Sequence, residues 1–208
     1  SIHFQKRIIM KIGLFGGTFS PPHNGHVRFA RLFIERAELD KLYIMPAGVP
    51  PHKETDPWGS AGARLDMARL AFGSFADVSD YEICASGKSY TYKTLAYLQK
   101  KHPCDELFLL VGEDMFLSFD TWKKPEAIFS AATVVCMRRG DAGEAVLKEA
   151  GADYKQRYGA HVIYLDEEPF PVSSTQIRSL CAAGEDISHL VPTEVAKYIT
   201  ENGLYKYE

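Results

Sequence analysis

The sequence predicts one doubly wound α/β domain with a mainly parallel sheet. Three observations carry this. Short apolar segments of strand length alternate with helical patterns along the whole chain. Those segments are apolar throughout instead of alternating with polar residues, as strands buried on both faces are. The loops richest in Gly, Pro, His and Ser follow such segments, after Phe15, Met45, Val111 and Leu165. Ligands of doubly wound sheets gather at those carboxyl ends.

The first strand is 11–15 (KIGLF). A helix follows over 27–37, with Phe29, Ala30, Phe33, Ile34 and Ala37 near helical period. Residues 41–45 (KLYIM) are the second strand, and 46–53 hold too many prolines for anything but a loop. The helical pattern of 61–72 rests on Leu65, Ala68, Leu70 and Phe72, while 78–84 reads as one or two short strands. A helix over 91–101 turns Leu95 and Leu98 to a core and ends in Lys100-Lys101, where cations suit the dipole. His102-Pro103 stops it. There follow strand 107–111, a short helix 125–129 opened by Pro125, strand 132–137, helix 144–158 and strand 162–165. A helix 174–183 closed by Gly184 and a helix 192–201 closed by Asn202-Gly203 complete the order.

A length of 208 residues suits one domain, and no repeat, linker or low-complexity tract divides it. That domain is taken as 10–208. Met10-Lys11-Ile12 reads as a natural start, and residues 1–9 as a vector-derived remnant or variable extension. Lys plus Arg is 24 and Asp plus Glu is 27, a net −3 that points to neither nucleic acid nor an anionic membrane as partner. The cysteines, Cys84, Cys104, Cys136 and Cys181, form neither a disulfide framework nor a zinc spacing, which points to the reducing cytoplasm. No apolar run approaches the roughly 18–20 residues that cross a bilayer, and no signal-peptide core is present.

The stretch that organises the chain is Gly16-Gly17-Thr18-Phe19-Ser20-Pro21-Pro22-His23-Asn24-Gly25-His26. It joins the first strand to the first helix. Paired glycines let backbone approach a ligand closely, and a helix N-terminus offers unpaired N–H groups and a positive dipole end. Histidines three apart share a helix face, so His23 and His26 can both address an anion. The stretch has neither the lysine of the P-loop nor the spacing of the dinucleotide fingerprint.

A second stretch, Pro171-Val172-Ser173-Ser174-Thr175-Gln176-Ile177-Arg178, opens a late helix. Ser173 and Gln176 fit a capping box. Arg178 is read in the first turn, where the dipole disfavours a cation. An anion bound there reverses that sign, and hydroxyls, N–H groups and guanidinium then converge on it.

The His-x-Gly-His turn and Ser-Ser-Thr-x-Ile-Arg resemble the two phosphate-binding signatures of the nucleotidylyltransferase superfamily. Pro50-Pro51-His52-Lys53, Ser89-Tyr90-Thr91 with Thr94-Leu95, Gly112-Glu113-Asp114 with Trp122, and the closing Val191-Pro192 to Leu204-Tyr205 narrow this. Together they resemble the bacterial nicotinate mononucleotide adenylyltransferases, from Met10 to the C-terminus. The resemblance implies a single Rossmann-like domain of the His-x-Gly-His type. It implies transfer of the adenylyl group of ATP to nicotinic acid mononucleotide with Mg²⁺, releasing pyrophosphate. The alternative is a sibling such as phosphopantetheine adenylyltransferase or a cytidylyltransferase.

The resemblance also implies roles. His23, His26 and Arg178 are the catalytic residues. Gly16, Gly17, Thr18, Phe19, Gly112, Asp114, Ser174 and Thr175 join them around ATP, with Asp114 near the ribose. Gly17, Thr18, His52, Lys53, Tyr90, Thr91, Trp122 and Lys123 surround the mononucleotide, with Trp122 stacked on the pyridine ring. No protein metal ligand is assigned, because Mg²⁺ is expected to sit mainly on substrate phosphates. Two positions depart from the family pattern: Ser20 replaces the usual Asp, and Ala85 the usual Arg.

Overall fold

The computed structural model describes residues 8–48, 60–85, 88–138, 140, 142–168 and 170–206. Six parallel strands form its sheet: β1 (Lys11–Gly17), β2 (Lys41–Pro46), β3 (Asp77–Val78), β4 (Glu106–Gly112), β5 (Thr133–Arg138) and β6 (Val162–Asp166). Their order is β3-β2-β1-β4-β5-β6, and every pairing is parallel. The chain winds outward from β1 in one direction, then returns to β4 and winds the other way. Neighbouring crossovers diverge between β1 and β4, which opens a crevice at their carboxyl ends.

The helices cover both faces. They are α1 (Asn24–Arg36), α2 (Ala61–Phe72), α3 (Tyr81–Cys84), α4 (Thr91–Lys101), α5 (Glu113–Leu117), α6 (Pro125–Ala131), α7 (Glu144–Tyr158), α8 (Ser174–Ala182) and α9 (Thr193–Glu201). One core layer joins Phe33, Ile44, Met67, Phe72, Ile177, Val195 and Ile199 beneath α1, α2, α8 and α9. The other joins Leu95, Leu98, Phe116, Phe119, Ile128, Phe129 and Leu147 beneath α4, α5, α6 and α7. Strands β1, β2, β4 and β5 send alternate side chains into the two layers, which is why their sequences carry no polar alternation. None of the described helices is long and apolar enough to cross a membrane.

Four expectations need correction. Residues 81–84 are helical, not extended. Ser79-Asp80 disfavours a strand, the β3 ladder ends at Val78 opposite Ile44, and Tyr81 stacks on Tyr97 of α4 with centroids 4.0 Å apart. Leu70 is 43% exposed; the inward face of α2 is instead Ala63, Arg64, Met67, Ala68, Ala71 and Phe72. Strand β6 is an edge strand whose residues stay partly exposed, so it is not buried on both faces. The helix α5 and a 3₁₀ turn at Phe119–Thr121 fill a stretch in which no element was expected.

Candidate active site

The turn after β1 is built around a reciprocal cap. His23 is the N-cap of α1; its Nδ1 accepts the His26 N–H at 3.3 Å, and His26 Nδ1 accepts the His23 N–H at 3.2 Å. This is a capping box with imidazoles in both positions. The rings stack with centroids 3.6 Å apart, and His26 packs edge-on to Phe19. With both Nδ1 atoms accepting from backbone, each neutral ring carries its proton on Nε2.

Phe19 sits at φ 51, a left-handed conformation that a bulky side chain adopts only when its surroundings enforce it. The enforcement comes from several elements. Arg64 Nη1 donates to the carbonyls of Thr18 (3.0 Å) and Ala47 (2.7 Å). Arg178 Nη1 donates to the Ser20 carbonyl (2.9 Å), and Ser174 Oγ to that of Pro21 (2.9 Å). The hydroxyls of Ser20 and Tyr205 lie 3.0 Å apart. Burial pushes the Tyr205 phenol up to about 12, so this hydroxyl stays neutral. Ser20, where the family pattern has Asp, is thus a buried tie to the C-terminal segment.

Two cavities flank this turn and meet at Thr18. One, of about 310 Å³, is lined by Thr18, Phe19, Ser20, His26, Ser174, Thr175 and Arg178. It brings both phosphate-type signatures together, from opposite ends of the chain. The other, of about 440 Å³, extends over Gly16, Gly17, Gly48, Glu82, Thr91 and Trp122. Trp122 anchors its indole N–H on Ser118 Oγ (3.3 Å) and leans on Phe119. Tyr90, the N-cap of α4, carries the Lys123 ammonium 4.9 Å from its ring centroid. The first cavity is rich in donors and suits phosphate oxygens; the second has an aromatic wall and suits a flat ring.

Arg178 is the fifth residue of α8, one turn further in than the sequence reading placed it. Its guanidinium still reaches the phosphate-type cavity, and Nη2 lies 3.4 Å from Thr175 Oγ1. Gly112 and Asp114 stand at the carboxyl end of β4, Gly112 as N-cap of α5 and Asp114 exposed, and neither lines the two cavities. His23 itself lies 7% exposed behind His26. His52 and Lys53 fall outside the described residues.

Sequence reasoning missed Arg64 and Glu82. Arg64 is fully buried, on the inner face of α2 between Ala63, Met67 and Ala68. A lone arginine at i, i+3 and i+4 spacing from core residues was the available signal. Glu82 was hidden by the reading of its segment as a strand.

The domain and its switch-point site define a nucleotidyl-transferring enzyme, and a family model described as cytidylyltransferase-like matches residues 14–180. Within that class the chain belongs to the nicotinate-nucleotide adenylyltransferases. It is 37% identical to a Geobacter metallireducens protein named "Probable nicotinate-nucleotide adenylyltransferase", over 96% of this chain and 100% of that one. It is 33% identical to the nicotinate-nucleotide adenylyltransferase of Bacillus subtilis, over 94% of this chain and 98% of the relative. In fold it matches the Plasmodium falciparum nicotinic acid mononucleotide adenylyltransferase complexed with NaAD, with a TM-score of 0.75 at 16% identity, covering 96% and 98% of the two chains.

Proposed function

We propose that the chain joins ATP to nicotinic acid mononucleotide, forming nicotinic acid adenine dinucleotide and pyrophosphate, in the biosynthesis of NAD. The observation that carries this is the meeting of a donor-rich cavity and an aromatic-walled cavity at Thr18. A phosphate oxygen of the mononucleotide attacks the α-phosphorus of ATP. A new P–O bond forms there as the bond to the pyrophosphate oxygen breaks, and pyrophosphate leaves with that electron pair. No covalent enzyme intermediate is needed, so positioning and charge stabilisation carry the rate.

His26 presents its Nε2–H towards the triphosphate with His23 stacked behind it, and Arg178, Ser174 and Thr175 hold its oxygens beside Thr18 and Phe19; a direct role for His23 rests on the family pattern. Gly16 and Gly17 let both substrates approach the backbone. Gly112 and Asp114 lie on the ribose side of ATP. Trp122 covers the pyridine ring beside Thr91; Tyr90 and Lys123, which do not line that cavity, and His52 and Lys53 belong to the mononucleotide side by the family pattern alone.

Among the described residues no three His, Cys, Asp or Glu side chains cluster to hold a metal ion. The residues of the donor-rich cavity are donors to an anion, not ligands for a hard cation. By the family pattern, Mg²⁺ enters with ATP, on the substrate phosphates. The four free cysteines suit a cytoplasmic location.

The test is pyrophosphate release from ATP and Mg²⁺ with nicotinic acid mononucleotide, its amide counterpart or phosphopantetheine, side by side. Preference for the acid is the expected result. Turnover of phosphopantetheine alone would replace the reading with that of a sibling enzyme.

A further inference from the structure

The larger cavity has a carboxylate in its wall. Glu82 lies in α3, a helix of four residues with no side-chain cap, held to α4 by the Tyr81–Tyr97 stack. Its Oε1 accepts from Thr94 Oγ1 at 2.6 Å, and Thr94 is 1% exposed in the first turns of α4. Ser89 and the Gly48 N–H lie close enough to favour the charged carboxylate. Gly48 N–H reaches Ser89 Oγ as well, at 3.3 Å. A Cβ on Gly48 would stand 2.5 Å from the Glu82 carbonyl and 2.7 Å from Ser89 Oγ, so these backbones touch directly. Glu82 thus meets α4 through its carboxylate and Gly48, after β2, through its backbone, with Ser89 between them.

These are walls of the same cavity: Gly48, Glu82, Ser89 and Thr91 line it opposite no other described carboxylate. Keeping a carboxylate there is unfavourable unless donors surround it. Burial raises the Glu82 pKa, and the three donors only partly offset this. A group held against desolvation at a cavity wall, by donors from separate segments, fixes those segments relative to one another.

We propose that Glu82 is a positioning residue for the mononucleotide, setting the spacing between the Gly48 wall and the start of α4. It acts through Gly48, Ser89 and Thr94. This rests on the reading that the mononucleotide occupies the cavity under Trp122. It follows that loss of Glu82 loosens one substrate's pocket and leaves the donor-rich cavity, on the other side of Thr18, as it was.

The experiment is steady-state pyrophosphate release by Glu82→Ala, Glu82→Gln and, in parallel, Trp122→Ala, each substrate varied in turn, with a thermal melt of every variant. Glu82→Ala is expected to raise KM for nicotinic acid mononucleotide about tenfold or more, with KM for ATP within about twofold. Glu82→Gln keeps an oxygen acceptor for Thr94 and is expected to fall between, at about threefold. Should Glu82→Ala fail to fold, the Gln variant carries the same test. An equal change in both KM values, or none in that of the mononucleotide, overturns the proposal. If Trp122→Ala shifts the mononucleotide KM while both Glu82 variants leave it flat, only the role of Glu82 falls. If Trp122→Ala leaves it unchanged, the assignment of the pocket falls, and this proposal with it.

Discussion

His23 and His26 hold each other in register: each Nδ1 accepts the other residue's backbone N–H, and the two rings lie nearly parallel, 22° apart. The histidines are therefore part of the helix cap as well as of the site. The cap also fixes their tautomer, since an Nδ1 that accepts from an amide cannot carry the proton.

The first prediction concerns that tautomer. Nitrogen-15 spectra of the imidazoles at neutral pH should show His23 and His26 protonated at Nε2 and bare at Nδ1. Protonated Nδ1 in either residue would mean that the reciprocal cap does not persist in solution.

The cap and the chemistry can be separated at His26. Glutamine at the third helical position restores the acceptor of a capping box without the imidazole. His26→Gln should keep stability close to the parent, while His26→Ala loses about 1 kcal/mol. Both should lower kcat by on the order of 10²-fold or more. If the Gln variant retained full kcat, His26 would be a cap only.

Trp122→Ala should raise KM for the mononucleotide more than KM for ATP. The indole lines the larger cavity and is absent from the lining of the smaller one. An equal rise for both substrates would remove it from the pyridine pocket.

Arg64 never meets solvent, yet its guanidinium bonds the carbonyls of Thr18 and Ala47. Arg64→Met leaves two carbonyls behind the site without that donor, at about 1–3 kcal/mol each. The expected result is a lower urea midpoint together with a fall of roughly tenfold or more in kcat/KM, since small displacements of positioned groups are costly. Arg64→Lys keeps the charge but not the fork, and should fall between. Loss of stability in both variants with unchanged kcat/KM would make Arg64 a core residue alone.

Burial, with a smaller push from the Glu113 charge, raises the Cys136 thiol to about 12. The raised value keeps it protonated, and hence unreactive, across the neutral range. A thiol reagent at about pH 8 should label exposed Cys84 and Cys104 quickly and Cys136 only after unfolding. Rapid labelling of Cys136 in native protein would contradict its burial.

Much of this was legible in the sequence. The central strands declared themselves as unbroken apolar runs, and the two phosphate-type stretches were visible as strand–turn–helix starts. Parallel winding placed both at one end of the sheet, so their convergence at Thr18 follows from topology. Residues 81–84 were not legible, because Tyr81 is held by a ring 16 positions away rather than by local preference. Glu82 could not be placed while its segment was read as extended. Arg64 was obscured by assigning the apolar face of α2 from Leu65, Ala68, Leu70 and Phe72; of these only Ala68 and Phe72 are buried, with Ala63, Met67 and Ala71 beside Arg64. The mutual cap of the two histidines was out of reach, since imidazole is not among the usual caps.

The tie between Ser20 and Tyr205 spans 185 positions, and Arg178 and Ser174 reach back over comparable stretches to the same turn. Closing loops of that length costs entropy before any contact rewards it, so the turn of the site is set by the slowest kind of contact to form.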